Sequence, residues 1–596
     1  MRLTMIALCF AGVPQLAAQT NDARYTVTSE YITTRDGTRL AVDVFLPGGR
    51  TSDAWLPALL ELTRYWRASE DPVTGVRRNS LRRLDRFFLQ HGYAVLKVDA
   101  RGSGASFGTR SAEYSPQEVR DGWDVVDWVT KQPWSSGSVG AYGTSYSGTT
   151  AELLAAVEHP AVKAVIPGWS DWDAYTSPVR PYGLVTAFVE EWGRLVGAMD
   201  RNDRAIMGGL VRRVDADSSG VLRDAAVREH ASNADVGAWV RASEFRDDRY
   251  QGGPSYAELG PVFWYKAIQR SRVPMLVLVS WLDAGTAEGA LERFRTFPNP
   301  QKLVVMASSH GGTALASPFR VDTTPVPNDP TEDEMARLRL DFFDRYLKGV
   351  RNDVDRWPSV RYYTLGAERY AAAPRWPLAG TRVRRFYLDS GGVLAGRAPT
   401  RSGSDAYTVD VGVTTGPDNR WATQMGRPVL GLSDRGAMDA RMLTYTTPPL
   451  EADLHIAGSP VIDLIVGSTH ADGAVLVYLE DVDEAGRSRY LTEGGLRLIH
   501  RKLARDSVLG VEPYHSFARR DATPMPKGRA ERVSIRILPT SALVKAGHRL
   551  RLAIAGADSA VFARVSTEGT PTLTVHRGAR DASVLSLPVV AGRPEP

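Results

Sequence analysis

The chain has 596 residues, too many for one hydrophobic core, so about three domains are expected. Hydrophobic residues make up 43% and charged residues 24%, the balance of a soluble globular protein. A net charge of +5, with no run of Lys or Arg, suggests neither nucleic acid nor an anionic membrane as a partner.

The chain opens on Met1-Arg2, an apolar stretch from Leu3 to Pro14, and Gln15-Leu16-Ala17-Ala18-Gln19. This pattern predicts a secretory signal peptide over residues 1–18 and export to the periplasm or the cell exterior. The apolar run is too short to span a bilayer comfortably. Leu16 is larger than the small residue preferred three positions before a cut, so the cleavage site itself stays open. Cys9, the single cysteine, lies inside this segment and follows Leu8, which speaks against a lipoprotein site. The mature chain would then hold no disulfide, and its stability must come from core burial.

Residues 19–171 read as the first part of an α/β domain. Tyr25–Ile32 and Arg39–Leu46 alternate around Asp36-Gly37, a strong hairpin signal. Pro57–Leu62, Ala94–Val98, Val139–Tyr142 and Val162–Ile166 read as buried strands. Ser80–Gln90, Gln117–Lys131 and Ser147–Glu158 read as helices between them. Such alternation predicts a mostly parallel sheet covered on both faces. Residues 172–272 interrupt it with helical patterns at Leu184–Val196 and Val221–His230, which suggests a helical cap. The strands resume at Met275–Val279 and Leu303–Met306, and the helix Thr331–Leu347 closes this second part, residues 273–356. From 357 to 596 short strands recur, among them Val360–Leu365, Ala474–Glu480 and Val533–Leu538, predicting a β-sandwich.

The chemistry centres on Gly143-Thr144-Ser145-Tyr146-Ser147-Gly148, between a strand and a helix. In a G-x-S-x-G elbow the second glycine follows the serine by two residues. Ser147 stands there instead, but it is small enough for the tight turn. A serine hydroxyl needs a base, and on this type of sheet the chain order is Ser, acid, His. His310 lies just beyond the strand Leu303–Met306, and Asp283 just beyond Met275–Val279. A loop Asp or His taken singly is usually a surface residue; the required order at successive strand ends makes Ser145, Asp283 and His310 the candidate triad.

Together these residues resemble the cocaine esterase and Xaa-Pro dipeptidyl-peptidase family of α/β hydrolases (the CocE/NonD hydrolases). The resemblance runs along nearly the whole mature chain. Its markers include Arg64-Tyr65, Val98-Asp99-Ala100-Arg101-Gly102-Ser103-Gly104, Gly143-Thr144-Ser145-Tyr146, Trp281-Leu282-Asp283, Ser309-His310 and Leu491-Thr492-Glu493-Gly494. It implies Ser145 as nucleophile, His310 as base and Asp283 as its orienting acid, with an oxyanion hole from the Tyr65 hydroxyl and the Tyr146 backbone N–H. It also implies a C-terminal jelly roll. Asp99 and Arg101 are expected to pair with each other and shape their loop.

No cofactor is implied. Asp481-Val482-Asp483-Glu484-Ala485-Gly486 faintly resembles a calcium loop, but Thr492 stands where the closing acidic ligand belongs, so a hairpin turn is expected. The expected partner is a small ester, amide or short peptide; oligomeric state is not encoded in any pattern found. Xaa-Pro peptides, α-amino-acid esters and the β-lactams of an acylase are the alternative substrates, and the first two need carboxylates for a free ammonium. The resemblance places two acidic residues just after the triad Asp in the α-amino-acid ester hydrolases; here Ala284, Gly285 and Thr286 follow Asp283, which favours an apolar acyl group, although Glu190 and Glu191 could substitute. A non-catalytic carbohydrate-binding protein is the reading from another class; the intact triad opposes it.

Overall fold

The computed structural model describes residues 25–49, 55–78, 81–320, 330–427, 432, 434–505, 513–565, 569–578 and 582–591. The expected signal peptide and Cys9 lie outside the described residues.

The apolar runs of the first half assemble into one ten-stranded sheet. Its strands are β1 (Tyr25–Thr33), β2 (Arg39–Pro47), β3 (Leu56–Thr63), β4 (Ala94–Asp99), β5 (Ser135–Thr144), β6 (Val162–Gly168), β7 (Met275–Ser280), β8 (Gln301–Met306), β9 (Val360–Thr364) and β10 (Arg369–Ala373). Their spatial order is β1-β2-β4-β3-β5-β6-β7-β8-β9-β10. Neighbours from β4 to β9 run parallel, and every residue of β3, β4 and β7 is buried. A strand buried on both faces is apolar at most positions, which is why these runs do not alternate; the exceptions are paired, as Lys97 is with Glu61 at 3.0 Å. Along β7, Met275, Val277 and Val279 enter one core, while Leu276 and Leu278 enter the other with Phe88, Tyr142 and Phe343.

Helices α1 (Arg83–Gln90), α2 (Pro116–Thr130) and α3 (Tyr146–Ala156) cross between the first parallel strands. Ser115 caps α2 by accepting the Glu118 N–H, with Pro116 at the first helical position, where its missing N–H costs nothing. Between β6 and β7 lie the cap helices α4 (Ala187–Asp200), α5 (Val221–Glu229) and α6 (Val236–Ala242). The helix α7 (Glu332–Leu347) starts at a capping box in which Thr331 and Glu334 satisfy each other's backbone amides.

Val360–Thr364, expected among the sandwich strands, pairs into the first sheet as β9, parallel to β8, and β10 closes that edge. A five-residue run rich in Val and Tyr reads as strand in either sheet, and only its partner decides which.

From Arg382 onward the described chain is mostly strand, in a thirteen-stranded sheet. Ala474–Val482 and Ser488–Arg497 form a hairpin in it. At its turn Asp483 accepts the Ala485 and Arg487 amides, both at 3.0 Å, and pairs with the Arg487 and Arg489 guanidinium groups. Those donors use the carboxylate that a cation would need. Among the described residues no group of three or more His, Cys, Asp or Glu could hold a metal, and no helix is long and apolar enough to cross a membrane.

Candidate active site

Ser145 stands on the turn from β5 into α3, with φ 62° and ψ −128°. An L-residue held there costs about 1–3 kcal/mol, so the surroundings must enforce it. Three glycines do so. A Cβ on Gly143 would lie 2.3 Å from the Ser147 carbonyl, one on Gly148 2.4 Å from the Gly168 carbonyl oxygen, and one on Gly168 2.8 Å from that of Gly143. The elbow thus uses Gly148, not position 147, for its close approach, which is why Ser147 is tolerated. The Ser145 N–H donates to the Gly168 carbonyl at 2.9 Å, tying the elbow to the end of β6.

Asp283 follows β7 and His310 follows β8, so both share the carboxyl-terminal sheet edge with Ser145, where open α/β sheets place ligands. His310 Nδ1 lies 2.9 Å from Asp283 Oδ2. Gly311, next in the chain, approaches Thr144, next to Ser145. His310 Nε2 is buried and has no hydrogen-bond partner in this structure. Burial alone would lower the imidazole pKa, but the Asp283 carboxylate, with a smaller pull from Asp171, outweighs it and holds His310 above the ordinary value. Asp283 is fully buried. Its other oxygen, Oδ1, accepts a hydrogen bond from Thr423 Oγ1 at 2.8 Å.

Tyr65 follows β3, at the same edge. Its hydroxyl accepts the Trp192 Nε1–H at 2.9 Å, which leaves the phenol proton free to be donated elsewhere. Burial pushes this hydroxyl up to about 12, against the opposing pull of Trp192, Arg64 and Ser145, so it stays protonated at neutral pH. Tyr146 is the first residue of α3, where an amide has no partner inside the helix. Its phenol donates instead to the buried Glu118, whose carboxyl is pushed up to about 7 by burial and the nearby Glu113. The Tyr65 and Tyr146 rings meet edge to face at 6.0 Å. The five predicted residues, Ser145, Asp283, His310, Tyr65 and Tyr146, therefore gather at one edge.

A cleft of about 610 Å³ opens over Ser145 and Tyr65. The cap supplies most of its wall, including Val179, Phe188, Trp192, Val236 and Trp239. Besides hydroxyls, its side-chain acceptors are Asp171, Glu113 and Gln424, and among the described residues no Lys, Arg or His lines it. Asp171 is pushed up to about 6, chiefly by burial. Glu113 pairs with Arg64 through one oxygen, while its Oε2 is buried without a partner. Neither Glu190 nor Glu191 lines the cleft; Glu191 reaches Arg427 at 3.3 Å.

The expected Asp99–Arg101 pair does not form. Asp99 pairs with Arg67 at 2.9 Å, and Arg101 pairs with Asp121 at 2.6 Å and Asp36 at 2.9 Å. Residues two apart across the end of a strand found different partners. Asp171 was within reach of the strand-end rule that found Asp283, since it lies just past β6. Trp192, Thr423 and Gln424 carry no motif, and only folding brings them to the site.

A strained serine elbow beside a buried Asp–His pair on a parallel sheet defines the class: the protein is a serine hydrolase of the α/β-hydrolase fold. More narrowly, it belongs to the S15 family. Residues 36–312 match the X-Pro dipeptidyl-peptidase (S15 family) pattern, and residues 352–586 match the X-Pro dipeptidyl-peptidase C-terminal non-catalytic domain. A Mycobacterium bovis protein named as a serine esterase is 38% identical, over 94% of this chain and 95% of its own. Cocaine esterase of Rhodococcus sp. is 26% identical, over 96% of this chain and 99% of its own. A CocE/NonD family hydrolase from Staphylococcus aureus shares the fold, with a TM-score of 0.70 and 18% identity over 94% of this chain and 93% of its own.

Proposed function

We propose that the protein hydrolyses a carboxylic ester or amide with an apolar acyl group, through an acyl-enzyme on Ser145. Ser145 Oγ attacks the carbonyl carbon while His310 Nε2 takes its proton. The imidazolium then gives that proton to the leaving oxygen or nitrogen. In the second half water attacks the acyl-enzyme, His310 takes its proton, and Ser145 is released protonated. Asp283 orients the imidazole and balances its charge. The Tyr65 hydroxyl and the Tyr146 N–H stabilise the oxyanion. The observation that carries this reading is the 2.9 Å Asp283–His310 contact beside a serine held at positive φ.

The apolar cap wall supports an uncharged acyl group. A second reading, an α-amino acyl or Xaa-Pro substrate, is favoured by Asp171 and the unpartnered Glu113 Oε2, which could meet an ammonium. The test is a series of p-nitrophenyl esters with neutral or α-amino acyl groups, beside Xaa-Pro anilides. Neutral aryl-acyl and alkyl-acyl esters should have the highest kcat/KM, and Ser145→Ala should abolish their turnover. A clear preference for the charged series would replace the first reading with the second. We also read the strand-rich domain as a jelly roll, and residues 1–18 as a signal that directs export. Protein recovered from the native host should begin near Gln19; a cytoplasmic product retaining residues 1–18 would refute export.

A further inference from the structure

The strand-rich domain reaches the site through one short segment, Asn419-Arg420-Trp421-Ala422-Thr423-Gln424. Arg420 is 1% exposed and donates to the carbonyls on both sides of Asp283: to Trp281 at 2.6 Å and to Ala284 at 2.6 Å and 3.0 Å. The Ala284 N–H returns a bond to the Arg420 carbonyl at 2.9 Å. Thr423 is fully buried, and its hydroxyl lies 2.8 Å from both Asp283 Oδ1 and the Arg420 carbonyl; the carboxylate is the stronger acceptor of its single proton. The segment is itself anchored deep in its own domain. The Trp421 indole donates to Glu493 Oε1 at 2.6 Å, Tyr490 donates to Glu493 Oε2 at 2.9 Å, and Arg420 reaches the Tyr490 hydroxyl at 3.0 Å.

These contacts divide the Asp283 carboxylate. Oδ2 faces His310 Nδ1 and accepts a longer bond from Thr286 Oγ1 at 3.3 Å, and Oδ1 is held by Thr423. A carboxylate with one free oxygen can turn about its terminal torsion, which is broad and roughly two-fold. With Oδ1 tied down, Oδ2 stays on the imidazole. A neighbour that fixes an active-site ligand in this way is a recurring device, and its loss typically lowers activity about 10- to 100-fold.

We propose that Thr423 is a positioning residue for Asp283, so that the strand-rich domain, through Arg420 and Thr423, completes the hydrolytic site. The proposal rests on the triad reading above, and its test separates the two. Thr423→Val keeps the side-chain shape and removes the hydroxyl; Thr423→Ser keeps the hydroxyl. Against the best ester found, Thr423→Val should lower kcat about 10- to 100-fold with KM little changed, and Thr423→Ser should recover most of it. In an Asp283→Ala background, where no carboxylate remains to position, Thr423→Val should add nothing. If Asp283→Ala is severely impaired but Thr423→Val turns over as wild type, the positioning role falls and the triad stands. The role falls also if the Thr423→Val loss is multiplied in full onto Asp283→Ala, or if Thr423→Ser is as poor as Thr423→Val. If Asp283→Ala itself keeps wild-type kcat, the triad reading falls and takes the proposal with it.

Discussion

Tyr65 allows a single hydroxyl to be removed while its ring stays packed at the site. That hydroxyl accepts from Trp192 and keeps its own proton, so it can donate to charge developing on a substrate oxygen. Tyr65→Phe should lower kcat by about 10- to 1000-fold and leave KM nearly unchanged, because the bond strengthens as the carbonyl becomes an oxyanion. Steady-state kinetics on one good ester would show this; unchanged kcat would remove Tyr65 from the oxyanion hole. Individual residues were legible in the sequence when chain order constrained them. Ser145, Asp283 and His310 each follow a strand of the parallel sheet, and that order is a property of the fold. The Asp99–Arg101 pairing was misread because proximity in sequence says nothing about which way two side chains leave a strand end.

At the scale of elements, the apolar runs marked the parallel strands from β3 to β8, because burial on both faces keeps them largely apolar, and β9 was marked as a strand by its Val and Tyr content. That content could not assign β9 to its sheet. Val360-Arg361-Tyr362-Tyr363-Thr364 has the composition of an edge or sandwich strand alike, and its place is set by parallel pairing with β8. The Arg420–Thr423 segment was invisible for a different reason. It lies in a stretch without apolar period, and its partner Asp283 is 140 residues away. The Leu491-Thr492-Glu493-Gly494 marker was recognised by resemblance alone. The structure supplies its physical content: Glu493 accepts from Trp421 and Tyr490, and so holds the segment that grips the Asp283 loop.

At the scale of the whole molecule, the site is assembled by three parts of the chain. The parallel sheet presents Ser145, Asp283 and His310, the cap supplies Trp192 and the apolar wall, and the strand-rich domain supplies Arg420 and Thr423. All three are arranged around one claim, that Ser145 forms a covalent acyl intermediate. Reaction of the full chain with a fluorophosphonate, read by intact mass and peptide mapping, tests it most directly. One adduct per chain should form, on Ser145, absent in Ser145→Ala and strongly slowed in His310→Ala. No adduct, or an adduct on another residue that persists in Ser145→Ala, would contradict it.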